Sequence, residues 1–151
     1  MFILGLTAYM HDSAACLLQD GRIVAFAEEE RFRRIKHFGD FPEESVRYCL
    51  REAGIGIEDL GHIAFFWKPW LGLGARAVQA MAHFPASLFQ SGERCGRLRK
   101  MLWLPRRLRS EWGYRNPFHY VDHHDAHLCS AYYTSPFDSA ARRHTSFASV
   151  D

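Results

Sequence analysis

The sequence predicts a mixed α/β fold that opens on an antiparallel β-meander and then alternates helix with strand. Three observations predict it. Asp20-Gly21 stands between two short apolar runs, and a two-residue hairpin needs such a pair because both turn positions take positive φ. Phe41-Pro42-Glu43-Glu44 opens a segment whose apolar residues recur at helical spacing. Further short apolar runs, at residues 62–67 and 118–121, then alternate with helical patterns.

The elements follow in order. Residues 2–9 are a mostly apolar run fit for a central strand, and residues 13–18 form a second. After the hairpin, residues 22–28 return as a third strand, with Ile23, Ala25 and Ala27 alternating against Val24 and Phe26. Residues 28–37 are a charged segment ending at Gly39. A helix runs from Pro42 to about Ala53. Its acids lie on the positive end of the macrodipole, Val46, Cys49, Leu50 and Ala53 share one face, and Gly54 stops it. A helical turn at 57–60 leads to the fourth strand at 62–67. Residues 69–110 predict two helical pieces broken near Pro85 and Pro105, the second with a basic face. A fifth strand at 118–121 precedes a helix at 125–133 that stops before Pro136. The order βββαβαβα is that of a ribonuclease-H-like unit, the building block of the actin-like ATPase superfamily, with a mixed sheet; this is an analogy of fold and carries no function. Residues 1–141 are expected to form the first such unit and 142–151 to begin the next, where the chain stops.

Composition narrows the class. A chain of 151 residues has the length of one domain, and 48% hydrophobic with 24% charged residues excludes a disordered tail or fibrous repeat. The N-terminus lacks a basic leader region and no stretch suits a membrane span, which predicts a soluble, cytoplasmic protein with no membrane partner. The net charge of +2 is too weak to argue for nucleic acid. Basic residues are nonetheless uneven: 16 Arg stand against 3 Lys, and Arg94 through Arg109 form a run without an acid. That run has no recognition-helix pattern and reads as a surface helix, without a nucleic-acid partner. Cys16, Cys49, Cys95 and Cys129 are 33, 46 and 34 residues apart, which reads as isolated buried thiols in a reducing compartment.

Three constellations carry chemistry-bearing residues. Asp122-His123-His124-Asp125-Ala126-His127 stands at a strand-to-helix junction. His123 and His127, four apart, share a helix face about 5–6 Å apart at Cβ, which suits chelation of one metal ion. With a carboxylate they would make the facial set of Fe(II) or a similar ion. The plain alternative is a polar helix start capped by Asp122 with its histidines in solvent. Met10-His11-Asp12-Ser13 joins the first two strands, where His11 could act as a general base; the alternative is a turn bonded to its own backbone. Glu28-Glu29-Glu30-Arg31 through Arg34, Lys36 and His37 could present cations to a phosphate oxygen, or be a solvated loop whose charges pair with one another.

Taken together and in order, these residues resemble the O-carbamoyltransferase family of nodulation-factor and antibiotic biosynthesis. The resemblance rests on Ile3-Leu4-Gly5-Leu6, His11-Asp12-Ser13-Ala14-Ala15, Asp20-Gly21-Arg22-Ile23-Val24-Ala25 and Glu28-Glu29-Glu30-Arg31-Phe32. It continues through Lys36-His37, Phe41-Pro42, the Asp122 to His127 motif and Ser135-Pro136-Phe137-Asp138; residues 68–112 contribute little. It implies a longer enzyme that uses ATP and carbamoyl phosphate to make carbamoyl-adenylate in a C-terminal YrdC-like domain. The carbamoyl group then passes to a small-molecule hydroxyl acceptor in the N-terminal domain, beside a metal that is iron in relatives. By motif, His11 matches the family's proton acceptor and Lys36 a residue near the adenylate. His123 and His127 match metal ligands, and His124 their non-ligating neighbour. Val150-Asp151 matches the start of the next motif, whose Asp helps hold the metal. Arg142-Arg143-His144-Thr145-Ser146 precede it as extra residues that fit a longer surface loop.

The leading expectation is therefore the N-terminal part of an O-carbamoyltransferase, inactive alone. The alternative is a non-catalytic metal- or partner-binding module of the same fold. A third reading, threonylcarbamoyl transfer to tRNA, is disfavoured by Glu30-Arg31-Phe32 and Ser135-Pro136-Phe137-Asp138. A fragment would also expose aromatic stretches around Phe65-Phe66-Trp67 or Trp103.

Overall fold

A computed structural model describes residues 1–71, 74, 81, 86–133, 135 and 136. It holds a five-stranded mixed sheet of order β3-β2-β1-β4-β5, formed by β1 (Phe2–Thr7), β2 (Ala14–Gln19), β3 (Arg22–Glu28), β4 (Leu60–Phe65) and β5 (Phe118–Tyr120). The helices are α1 (Glu29–Arg33), α2 (Glu43–Ala53), α3 (Ala86–Glu111) and α4 (His123–Tyr132), with a 3-10 turn at Ile57–Asp59. The predicted residues 142–151, and Asp151 with them, lie outside the described residues.

The meander forms as the sequence predicts. β1 pairs antiparallel with β2 and β2 with β3, and the hairpin residues Asp20 and Gly21 have φ of 49° and 82°. β4 then lies parallel to β1 on its other side, and β5 parallel to β4. Strand alternation puts Leu4, Leu6, Ala15, Leu17, Ile63 and Phe65 on one buried face. Val46, Cys49 and Leu50 of α2 and Met101, Leu104 and Leu108 of α3 join the same core. Leaving these side chains in water would cost roughly 1.5–3 kcal/mol each, which fixes α2 and α3 in place. On β3, Ile23 and Phe26 remain exposed.

Several boundaries differ from the sequence reading. β1 ends at Thr7, because the chain then turns, with Tyr9 at φ 68°. β4 begins two residues early, since Leu60 pairs with Phe2 and is itself buried; Phe65 is core rather than exposed, while Trp103 is 56% exposed. The charged segment contains α1, and Asp122 caps α4 from outside. Cys49 is buried and Cys16 partly so, but Cys95 and Cys129 are exposed.

The largest departure is α3, which passes through Pro105 without a break. Proline deprives the Met101 carbonyl of its usual helical donor four residues on. The Tyr120 hydroxyl from β5 supplies one instead, donating to that carbonyl at 2.8 Å. A tertiary contact thus replaces the lost backbone bond, and it also ties α3 to the edge of the sheet.

Candidate functional site

The loop between β1 and β2 is held from outside. Tyr9 N donates to the Gly39 carbonyl and Ser13 N to the Phe38 carbonyl, each at 2.8 Å, and the Ser13 hydroxyl bonds the Asp40 carbonyl. Thr7 Oγ1 donates to the Asp12 carbonyl at 3.0 Å. Gly39 is required here, because a Cβ at that position would collide with the Met10 carbonyl oxygen. Two segments far apart in sequence, 8–13 and 37–40, are so locked into one surface.

His11 and Asp12 stand at its tip. His11 Nδ1 lies 2.9 Å from Asp12 Oδ2, and His37 Nδ1 lies 2.9 Å from Asp12 Oδ1. The hydrogen bond from His11, followed by that from His37, holds the Asp12 carboxyl below its ordinary range. Lys36 is exposed one residue before His37. Sequence reasoning marked His11 and Lys36 and missed the bridge through Asp12. The adjacent Asp12 and Lys36-His37 pairs were visible as residues, but nothing in the spacing joins them.

The acidic run has a structural task. Glu29 is fully buried, and its carboxylate accepts from Ser45 N and Ser45 Oγ at 2.9 Å each, from Glu44 N at 3.2 Å and from Arg33 Nε at 3.1 Å. It therefore caps α2, whose own N-cap residue is Pro42 and offers no side-chain acceptor. Glu29 also links that helix to the loop, since its backbone N donates to the Ser13 carbonyl at 2.8 Å.

At the β5–α4 junction, Asp122 accepts from His124 N at 2.9 Å and starts the helix. The ring nitrogens Nε2 of His123 and Nε2 of His127 lie 3.1 Å apart. Two nitrogens bound to one ion at about 2.0–2.1 Å lie roughly 3.0 Å apart at a right angle and about 3.4 Å apart at a tetrahedral one. The pair thus fits the bite of a single metal ion. His123 packs against Phe66 and Trp67, with ring centroids 5.4 and 4.8 Å away, and its Nδ1 is buried without a hydrogen bond of good geometry. Burial lowers the His123 pKa, the neighbouring His127 and His124 lower it further, and the Phe66 backbone and Asp122 oppose them. A neutral imidazole is the form that ligates metal. His124 is exposed, its Nδ1 3.6 Å from Asp122 Oδ1. Among the described residues no third His, Cys, Asp or Glu completes a ligand set.

Parallel pairing of β1, β4 and β5 directs the chain leaving each strand to one end of the sheet. Phe66 N bonds the Leu6 carbonyl at 3.3 Å and Val121 N the Phe65 carbonyl at 2.8 Å, carrying the order past the last strand residues. The His11 loop, Phe66-Trp67 and the His123 junction therefore share that end, with β4 between the two histidine groups. Neighbouring strands are about 4.8 Å apart, so the two flanking backbones are separated by roughly 10 Å. On the α3 side of the same loop lies an open groove of about 450 Å³, lined by Tyr9, Asp40, Lys100, Trp103, Arg106 and Arg107 among others. Lys100 pairs with Asp40 at 3.2 Å, and the Arg106 guanidinium lies 5.1 Å from the Trp103 ring centre. The sequence offered an Arg run here but no pattern that placed it beside the loop.

Comparison with known proteins decides the family, because the model described as carbamoyltransferase N-terminus matches residues 2–147. The chain belongs to this carbamoyltransferase N-terminal family. It is 38% identical over 148 residues to the uncharacterized protein sll1178 of Synechocystis, covering 92% of this chain and 24% of that one. It is 33% identical over 135 residues to the nodulation protein NolNO of Sinorhizobium fredii, covering 87% of this chain and 19% of that protein. The chain thus spans about a quarter or less of these two relatives' length. Among solved structures it is similar to YeaZ from Pseudomonas aeruginosa, at 23% identity and TM-score 0.35, covering 50% of this chain and 33% of that one. Another match is a protein described as similar to peptidase YeaZ, also from Pseudomonas aeruginosa, at 18% identity and TM-score 0.44, covering 87% of this chain and 47% of that one. Among the described residues, no helix is long and apolar enough to cross a membrane.

Proposed function

We propose that this chain is the ribonuclease-H-like, acceptor-side part of an O-carbamoyltransferase, which moves a carbamoyl group from carbamoyl-adenylate to a hydroxyl of a small molecule. The observation that carries the reading is the common sheet end, at which β4 alone separates the His11 loop from the His123–His127 pair in a chain of this family. Ligands of open α/β sheets collect outside strand ends of this kind. In the reaction the acceptor hydroxyl oxygen attacks the carbamoyl carbon while its proton passes to His11. The new C–O bond forms, the bond from the carbamoyl carbon to the adenylate phosphate oxygen breaks, and AMP leaves with that electron pair. Lys36 places a positive charge near the adenylate. His123 and His127, with Asp151 as a third ligand, would hold Fe(II) or a similar divalent ion, which when bound supplies positive charge against the nucleotide phosphate. ATP and carbamoyl phosphate are the co-substrates, and a YrdC-like domain makes the adenylate.

The test is carbamoyl transfer by the complete gene product, given ATP, carbamoyl phosphate, divalent metal and a panel of hydroxyl acceptors. AMP release coupled to carbamoylated product is expected, and His11→Ala should abolish transfer while leaving adenylate formation intact. Adenylate formation without transfer to any hydroxyl, or transfer undiminished in His11→Ala, contradicts the proposal.

A further inference from the structure

Among the described residues, five that are not glycine have positive φ, and one of them, Asp20, belongs to the hairpin. The other four are Tyr9, Asp12, Arg34 and His37, at φ 68°, 58°, 55° and 55°. Tyr9, Asp12 and His37 lie in the two segments that meet at the His11 loop, and Arg34 ends α1 three residues before the second. Left-handed backbone at such residues is unfavourable and persists where surrounding structure enforces it. Here the enforcing contacts are the backbone bonds from Tyr9 to Gly39 and from Ser13 to Phe38. Their joint effect is to bring the Nδ1 atoms of His11 and His37 to the two oxygens of one carboxylate, each at 2.9 Å.

An ionised carboxylate only accepts hydrogen bonds, so each ring must direct a protonated Nδ1 at Asp12. The neutral rings then carry their lone pairs on Nε2. We propose that Asp12 is the positioning residue of the transfer site, holding His11 and His37 together in the Nδ1–H form so that both Nε2 atoms are free to take a proton. This rests on the transfer reading given above. It adds His37 as a second imidazole on the same carboxylate, and it assigns to Asp12 the stabilisation of whichever ring becomes imidazolium. The charged groups beside the pair are Glu30 of α1, whose Oε2 accepts from His37 N at 3.4 Å, and the neighbouring Lys36.

The test reads the ring tautomers directly, by nitrogen NMR of the imidazoles in 15N-labelled protein above pH 7.5. Wild type should show His11 and His37 both protonated at Nδ1. Asp12→Asn keeps the shape and tolerates the left-handed backbone, and it should return both rings towards the Nε2–H form of an unrestrained histidine. The amide shifts of Thr7 and Ser13 serve as the check that the loop still folds. In the transferring enzyme the same variant should lower kcat by about 10²–10⁴-fold at unchanged KM. Nε2–H rings in wild type, or tautomers indifferent to Asp12→Asn, overturn the proposal. Tautomers as proposed, together with transfer that survives His11→Ala, would overturn the transfer reading and leave the role of Asp12 in ring geometry standing.

Discussion

Replacing Glu29 should be among the most damaging single changes in the chain, although it lies in a run of charged residues. The carboxylate is 0% exposed and serves four donors: two backbone N–H groups at the start of α2, the Ser45 hydroxyl and Arg33 Nε. Glu29→Ala removes all four partners and leaves the Glu44 and Ser45 N–H groups without their acceptor. Hydrogen bonds to a charged group contribute about 1.5–3 kcal/mol each, but the four share one carboxylate and are not additive. Leaving buried donors without their acceptor costs about 1–3 kcal/mol each, so a loss of about 3–5 kcal/mol is expected for Glu29→Ala once sharing is allowed for. Glu29→Gln keeps one acceptor oxygen for α2 and should cost about half as much. Arg33→Ala should cost less than Glu29→Ala, because the Arg33 side chain is 41% exposed and the three donors from α2 remain on the carboxylate. Urea unfolding followed by far-UV circular dichroism gives all three values, and a Glu29/Ser45 double-mutant cycle gives the coupling between them. A loss below about 1 kcal/mol for Glu29→Ala, or an equal loss for Arg33→Ala, would refute the capping argument.

Two further predictions concern stability. Tyr120→Phe removes the donor to the Met101 carbonyl and should cost about 1–2 kcal/mol; in a Pro105→Ala background the loss should shrink, because residue 105 then supplies a backbone donor, and equal losses in both backgrounds would contradict the account of α3. Burial pushes the Cys49 thiol up to about 11 from 9.0 and the Tyr120 hydroxyl up to about 12 from 10.0. The neutral forms are favoured in the folded chain, so this stabilisation is complete below pH 9 and is lost as pH rises between 9 and 12. Urea midpoints across that range should fall, with Cys49→Ala flattening the slope between pH 9 and 11; an unchanged slope would count against burial as the cause.

Much of the fold was legible because local chemistry and tertiary structure agree there. Asp20-Gly21 specifies its turn by backbone preference, and α2 ends at Gly54, at φ 65°, as the sequence suggests. The pair His123 and His127 was legible from helical spacing alone. What escaped reading depends on partners distant in sequence. Pro105 reads as a break until Tyr120 is placed beside Met101. Glu29 reads as a solvated charge until α2 folds over it. Asp12 and His37 are 25 residues apart in elements with no shared periodicity, and only the folded contacts between 8–13 and 37–40 bring them together.

In the function proposed above, the His11 loop and the His123–His127 pair belong to one site at one end of the sheet. A paramagnetic ion tests it most directly: Co(II), standing in for Fe(II), is titrated into 15N-labelled protein at pH 7 while amide resonances are followed. Weak binding is expected, since two imidazoles are only part of a ligand set. Signals of Met10, His11 and Asp12 should shift or broaden together with those of Phe66, Trp67 and His123, while Asp20 and Gly21 at the opposite end stay unchanged. The effect should vanish in the His123→Ala, His127→Ala double variant and survive His124→Ala. Perturbation confined to α4, or spread equally to the Asp20-Gly21 hairpin, would contradict a shared site.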